Sequence, residues 1–385
     1  MEPGQEALET ARRLRRTLFV SGSLGKGHDV VAEACAAALQ PFGVESRIVD
    51  SMKLLGSGSG LGERVFRTLL SVTAVYDAFH FSQLRDGGRI GHATENLAIN
   101  RMHRNLLAEI EDFRPELIVP VFATGAGATA RIKAERLKTG MSRSAPPFRS
   151  VVIMTDSFAH QMWVQEETDL FLVTSNAAAE SVRRYWPEAA VEVVTAPVRP
   201  EFAGAPTQRV ARASIGVPEE ATCVLLMSGA WGLGPLDEAA AALAADGIYV
   251  LAVAGTNRRM EAKIRNLAEA HPEIIPFGYT NQVSTLMSAC DVVVTSSGDT
   301  CREARTLGRG LILIDVVPGH GRENLMHELE LGGSTACLPT AGSIARAVRS
   351  FVTDPERSKV APAIETGLPE AQFVSALRTL GFELG

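Results

Sequence analysis

No two cysteines of this chain form a CxxC pair. The five present, Cys35, Cys223, Cys290, Cys301 and Cys337, are scattered and odd in number. That spacing argues against a structural zinc site and suits a reducing compartment. No apolar run reaches membrane-spanning length, and no signal-peptide pattern opens the sequence. A cytoplasmic protein is therefore expected, one that touches a membrane at most from its surface. Positive charge is in deficit: the formal net charge is −6, which argues against a broad nucleic-acid-binding surface. The G-x-G-x-x-G dinucleotide fingerprint is missing, and no acid in the first half is placed to hold a ribose. No DxD-type acidic pair stands in a suitable loop, so no metal cofactor is expected.

What the chain does have is an alternation. With 385 residues, 46% hydrophobic and 21% charged, it is ordinary in composition and long for one core, so two domains are expected. Short apolar runs, each followed by a helical pattern, occur at Leu18–Ser21, Ser46–Asp50, Glu116–Val121, Val151–Thr155, Leu170–Thr174 and Glu192–Thr195. The rhythm restarts after "APVRPEF" (Ala196–Phe202), with runs at Cys223–Met227, Ile248–Val253, Ile274–Phe277, Val292–Thr295 and Leu311–Asp315. This is the pattern of parallel sheets faced by helices. Pro197 and Pro200 disfavour regular structure between the halves, which puts the boundary near residues 197–205. The assignment is α/β: residues 1–199 as a first Rossmann-like domain and 200–385 as a second, with the last helix free to cross back to the first.

The two halves share a motif. "SGSLGKG" (Ser21–Gly27) and "SGAWGLG" (Ser228–Gly234) both read S-G-x-x-G-x-G, and both follow a strand-like run. A glycine turn entering a helix presents free N–H groups at the positive end of the helix dipole, which makes an anion site. A second such turn in the same half is "SSGDTCREA" (Ser296–Ala304), and two helix starts at the C-terminal ends of one sheet can hold a diphosphate without a metal. Asp299 reads first as an N-cap. Glu303 is either a solvated first-turn acid or an acceptor for a ribose diol. In "DVVPGHGREN" (Asp315–Asn324), His320, Arg322, Glu323 and Asn324 crowd a helix start beyond a strand end, where open α/β sheets bind ligands. Capping by Glu323 or Asn324 is the competing reading.

His28 stands where the first glycine turn becomes a helix. It reads either as a local capping or packing group or as a general base. Asp156 and His160, in "MTDSFAHQMWV" (Met154–Val164), follow another strand and share its sheet edge. Either residue could orient the base or bind an acceptor hydroxyl; the alternative for Asp156 is an Asx-turn or a cap. Two segments interrupt the alternation: a glycine- and serine-rich stretch at Leu54–Gly62 and an apolar one at 65–81. The latter reads as a buried helix, or as a helix that lines a hydrophobic acceptor groove or lies on a membrane surface. "RRLRR" (Arg12–Arg16) reads as a solvated basic run that can also attract anionic lipid.

Taken together and in order, "SGSLGKGHDVVAEA", "VVIMTDSFAHQMWV", "APVRPEF", "SGAWGLG", "VAGTN", "FGYTNQV", "ACDVVVTSSGDTCREARTLGRGLILID" and "PGHGRENLMHELELGG" resemble the glycosyltransferases typified by monogalactosyldiacylglycerol synthase and the MurG-type N-acetylglucosaminyltransferase. The resemblance runs from about Leu18 to Leu338. It implies a GT-B fold, two Rossmann-like domains facing across a cleft, and an inverting, metal-independent transfer of a hexose from a UDP-sugar to an acceptor hydroxyl. The acceptor is expected to be a lipid or otherwise hydrophobic, and the enzyme peripheral on the inner face of the membrane. By matching position, His28 is the implied base, with Gly27, Asp156 and His160 on the acceptor side. Ser228, Gly229, Gly232, Gly298, Asp299 and Thr300 fall in the diphosphate loops, Tyr279 and Thr280 in the uracil-reading segment, Glu303 at the ribose, and His320 and Asn324 at the donor sugar. The sequence departs from galactolipid synthases at His320–Gly321, where those carry Gln-Glu, and at Asp299, where small residues are usual. Rival readings are a UDP-sugar epimerase, a nicotinamide-dependent oxidoreductase, and a non-catalytic nucleotide-sugar-binding protein at a membrane surface.

Overall fold

A computed structural model describes residues 12–22, 27–55, 89–138, 148–195, 198–229, 232–317, 319–354 and 369–385. The apolar 65–81 stretch and most of Leu54–Gly62 lie outside these residues. Fourteen strands are present among the described residues: β1 (Arg12–Arg13), β2 (Arg16–Ser21), β3 (Glu45–Asp50), β4 (Leu117–Pro120), β5 (Arg149–Ile153), β6 (Leu170–Val173), β7 (Val191–Val193), β8 (Cys223–Met227), β9 (Tyr249–Val253), β10 (Ile274–Phe277), β11 (Val292–Thr295), β12 (Gly310–Ile314), β13 (Ser334–Cys337) and β14 (Phe382–Glu383). They form two six-stranded sheets, ordered β3-β2-β4-β5-β6-β7 and β10-β9-β8-β11-β12-β13, and a small β1–β14 pair. Every pairing is parallel. Parallel strands are covered on both faces and so read as unbroken apolar runs. β8 (CVLLM) is buried throughout.

Alternate side chains of each strand enter opposite layers. In the first lobe Phe19 packs with Val31, Cys35 and Leu39 of the Gly27–Leu39 helix. Leu18 and Val20 pack instead against Ile99, Met102, Leu106, Ile110 and Phe113, the apolar stripe of the Arg89–Phe113 helix. In the second lobe Val224 and Leu226 meet Leu236, Ala239, Ala240 and Leu243 on one side. Cys223, Leu225 and Met227 meet Leu286, Met287, Cys301 and Ala304 on the other.

Each sheet has a switch point, where successive connections depart to opposite sides and leave a crevice at the strands' C-terminal ends. It lies between β2 and β4 in the first lobe and between β8 and β11 in the second. The helix that opens with Gly27 and His28 follows β2 in the chain. The loops carrying Ser228 and Ser296–Gly298 leave β8 and β11.

The chain returns to the first lobe at its end. The Pro369–Thr379 helix places Phe373, Ala376 and Leu377 in the core beside Phe19 and Leu39. Gln372 Oε1 accepts the Thr195 backbone N–H at 2.7 Å, and β14 pairs with β1. The Arg12–Arg16 run keeps Arg12, Arg13 and Arg15 exposed, as a solvated basic run should, while Leu14 between them is buried and Glu116 Oε2 accepts the backbone N–H groups of Arg15 and Arg16 at 3.2 and 2.7 Å. One sequence reading changes here. The segment between the lobes holds a short helix, Pro200–Ala203. Pro200 is its first residue, where a missing N–H costs nothing.

Candidate active site

The two crevices open onto one cavity of about 290 Å³. From the first lobe it is lined by Gly27, His28, Val30, Thr155 and Asp156. From the second come Ser228, Gly229, Tyr279, Thr280, Ser296 to Thr300, Glu303, His320 and Asn324, and Arg199 enters from the connecting segment.

Local chemistry fixes His28. Asp29, the next residue, accepts the Ser21 hydroxyl at 2.6 Å, tying the helix start to the end of β2. The imidazole stands edge-on to Phe122, 4.9 Å between centroids, and Nδ1 lies 3.2 Å from Thr155 Oγ1. Beside it, Asp156 Oδ2 accepts the Trp163 indole N–H at 2.8 Å. Burial works to raise the Asp156 carboxyl. The neighbouring His320, His160 and His28 side chains and the indole N–H outweigh it and hold the group below its ordinary range. His160 stands behind this wall, 6.2 Å from the Trp163 ring, and does not line the cavity.

The second rim is backbone-rich. Gly229 (φ 58°) and Gly232 (φ 54°) adopt the left-handed conformation that glycine allows freely. Gly232 is packed against the Ala254 carbonyl, outside the cavity lining. The Ser228 hydroxyl is buried without a hydrogen-bond partner among the described residues, at the edge of a site suited to an anion. At the β11 loop, Gly298 is the N-cap and Asp299 the first helical residue, so Asp299 does not cap. Its carboxylate pairs with Arg302 and reaches across the cleft to occupy the space where a side chain on Gly27 would stand.

Glu303 is not a solvated first-turn acid. It is 4% exposed and hydrogen-bonded by Arg199, from Nε at 3.1 Å and from Nη2 at 3.0 Å, both to Oε1. Burial pushes its carboxyl from an ordinary value of 4.5 up to about 7, against the pull of Arg199. Asn324 and Glu323 do not cap their helix, which begins at His320 with Gly319 as N-cap. The Asn324 Oδ1 instead accepts the Ser157 N–H at 2.9 Å from the opposite lobe. Ser297 Oγ donates to the Gly321 carbonyl at 2.7 Å and joins the two donor-side loops. Thr280 Oγ1 accepts the Gln282 N–H at 3.1 Å, shaping the turn next to Tyr279.

Most residues singled out in the sequence therefore meet in one cleft, while Gly232, His160, Arg322 and Glu323 do not line it. Thr155 and Arg199 were missed as site residues. Thr155 is the last residue of a strand-like run, and Arg199 was read as linker.

The two facing Rossmann-like lobes and the cleft between them define the class of fold, GT-B. Among solved structures, *Acinetobacter baumannii* MurG superposes with a TM-score of 0.57 at 14% identity, covering 95% of this chain and 99% of that one. The UDP co-structure of *S. aureus* MnaA superposes at 0.65 with 10% identity, covering 95% and 97%. More particularly, residues 28–198 match the family model of monogalactosyldiacylglycerol (MGDG) synthase. A processive diacylglycerol β-glucosyltransferase of *Bacillus pumilus* is 24% identical over 363 residues, 89% of this chain and 88% of that protein. Monogalactosyldiacylglycerol synthase 1 of *Arabidopsis thaliana* is 25% identical over 341 residues, and the match spans 84% of this chain but only 62% of the plant protein.

Proposed function

We propose that the protein transfers a hexose from a UDP-sugar to the hydroxyl of diacylglycerol, or of a lipid much like it, with inversion and without a metal ion. The observation that carries this reading is the division of labour across one cleft. A histidine and a carboxylate face it from the first lobe, and glycine turns with a buried serine hydroxyl that has no partner among the described residues face it from the second. The relatives named as diacylglycerol and galactolipid glycosyltransferases supply the substrate class.

The donor diphosphate would lie at Ser228–Gly229 and at the N-terminus of the Asp299–Thr306 helix, where main-chain N–H groups meet the charge that develops on the leaving group. Fixed donors of this kind are each worth roughly 2.7–4 kcal/mol in an oxyanion-hole precedent. Glu303 would take the ribose, Tyr279 and Thr280 the uracil edge, and His320 and Asn324 the sugar. On the acceptor side, the His28 Nδ1–H donates to Thr155 and leaves the Nε2 lone pair for the incoming hydroxyl. As the acceptor oxygen bonds to C1, the C1–O bond to phosphate breaks with its electron pair, UDP departs, and His28 takes the acceptor proton. The Asp156 carboxylate stabilises the imidazolium so formed. A single displacement inverts C1.

The experiment offers UDP-glucose, UDP-galactose and UDP-GlcNAc, each with and without diacylglycerol in mixed micelles and with and without EDTA. The proposal expects glycolipid from one donor, dependent on diacylglycerol and indifferent to EDTA. An isomerised nucleotide-sugar formed without acceptor would establish the epimerase reading instead. Loss of product in EDTA would remove metal independence.

A further inference from the structure

Arg199 has no part in the scheme above, yet it reaches the cavity and is held from three sides. Nε and Nη2 both donate to Glu303 Oε1, at 3.1 and 3.0 Å. Nη1 pairs with Glu201 Oε1 at 3.1 Å, and the guanidinium lies over the Phe202 ring, 5.2 Å from its centroid. Phe202 is 2% exposed, so this stacking surface is itself fixed in the core. The arginine belongs to the segment joining the lobes, and the glutamate to the helix that opens the donor site.

We propose that Arg199 is a positioning residue for donor recognition: by fixing one oxygen of Glu303 from the interlobe segment, it presents the other oxygen to the ribose hydroxyls. This rests on the reading that a uridine nucleotide occupies the cleft with its ribose at Glu303. The physical argument is preorganisation. An unheld carboxylate in this buried place must be both oriented and kept ionised when the ligand arrives, and binding bears that cost. A planar guanidinium does both at once, and an ammonium lacks the fork geometry. The charged groups facing Glu303 are Arg199 and Arg302, which favour its ionised form, and Asp299, which opposes it. Of these, Arg199 opposes the burial effect most strongly, so its removal raises the carboxyl further.

The test compares UDP with 2′-deoxy-UDP by calorimetry from pH 6 to 9 in wild type, Arg199→Gln and Arg199→Lys. Phosphate protonation is common to both ligands and cancels in the ratio of their dissociation constants. Wild type is expected to favour the ribonucleotide by about tenfold or more, the worth of a charge-assisted hydrogen bond. Arg199→Gln should reduce that ratio to within about threefold near neutral pH and move the midpoint of its pH dependence upward. Arg199→Lys, which keeps the charge and guards against loss of fold, should shift the midpoint less while still losing discrimination. If wild type discriminates and both variants discriminate equally, with the midpoint unmoved, Arg199 only braces the linker and the inference is overturned. If wild type binds neither ligand, the nucleotide reading fails; if it binds both alike, the placement of the ribose on Glu303 fails; either outcome takes the inference with it.

Discussion

A buried carboxyl that must be ionised to bind its ligand imposes a pH dependence of known sign. Burial raises Glu303 to about 7. Its ionised form accepts hydrogen bonds from hydroxyl groups, and those bonds lower its pKa in the complex. Donor binding therefore expels a proton wherever the free carboxyl is protonated, and affinity falls as pH drops below about 7. Each pH unit on that side costs about tenfold, or 1.36 kcal/mol. Between pH 8 and pH 6 the dissociation constant of UDP-glucose should thus weaken by about tenfold. UDP-glucose suits the titration because both its phosphates are esterified and do not titrate in this range. Protonating His28 or His320, which share the cavity, would add positive charge and strengthen diphosphate binding, so the sign separates the causes. Glu303→Gln should bind about 10- to 100-fold more weakly at pH 8, the loss of a charge-assisted bond, and its pH profile should be flat. Calorimetry at 0.15 M salt measures both. A flat wild-type profile, or an equal slope in Glu303→Gln, refutes the assignment of Glu303 to donor binding.

Other outcomes follow from the same geometry. His28→Ala should lower turnover by about 10²–10⁴-fold, the usual worth of a general base, while donor affinity measured by calorimetry stays within about twofold. Gly27→Ala places a methyl group where the Asp299 carboxylate lies. It should depress kcat/KM by about tenfold, with Asp299→Gly restoring much of the loss, a coupling of about 1 kcal/mol or more in a double-mutant cycle. Away from the cleft, Asp169 holds buried Lys133 and accepts from Arg149 at 3.1 Å. Asp169→Asn should destabilise the protein by about 3–5 kcal/mol in denaturant unfolding, because the lysine stays buried without its counter-charge.

The central strands were legible because parallel strands buried on both faces must be apolar; the edge strands β3 and β7 are not buried so, yet β2 to β12 each overlap a run visible in the sequence. β13 was not found. Its residues, Ser334–Cys337, are small and partly exposed at a sheet edge, so burial leaves no apolar signature. The β1–β14 pair joins residues from the two ends of the chain, and no local pattern marks it. In the site, the glycine turns and His28 stood out because turn chemistry and helix starts are local. The cross-cleft partners were not visible. Arg199 and Glu303 are 104 residues apart, and Ser157 and Asn324 are 167 apart. Glu303 and Asn324 stand out by motif, but their partners Arg199 and Ser157 carry no local signal until the fold brings them together. Asp299 shows the converse: its place at a helix start suggested a cap, but Gly298 fills that position and the carboxylate turns to Arg302 and the opposite lobe.

The central claim is that main-chain amides of the second lobe grip the diphosphate while the His28 imidazole waits across the gap. A crystal structure of the protein with UDP tests it most directly. The account predicts the diphosphate within hydrogen-bonding distance of N–H groups at Ser228–Gly229 and Gly298–Thr300, the ribose on Glu303, and the His28 ring open to the space beyond the β-phosphate. UDP bound in another cleft, or a diphosphate held on the first lobe beside His28, would contradict it.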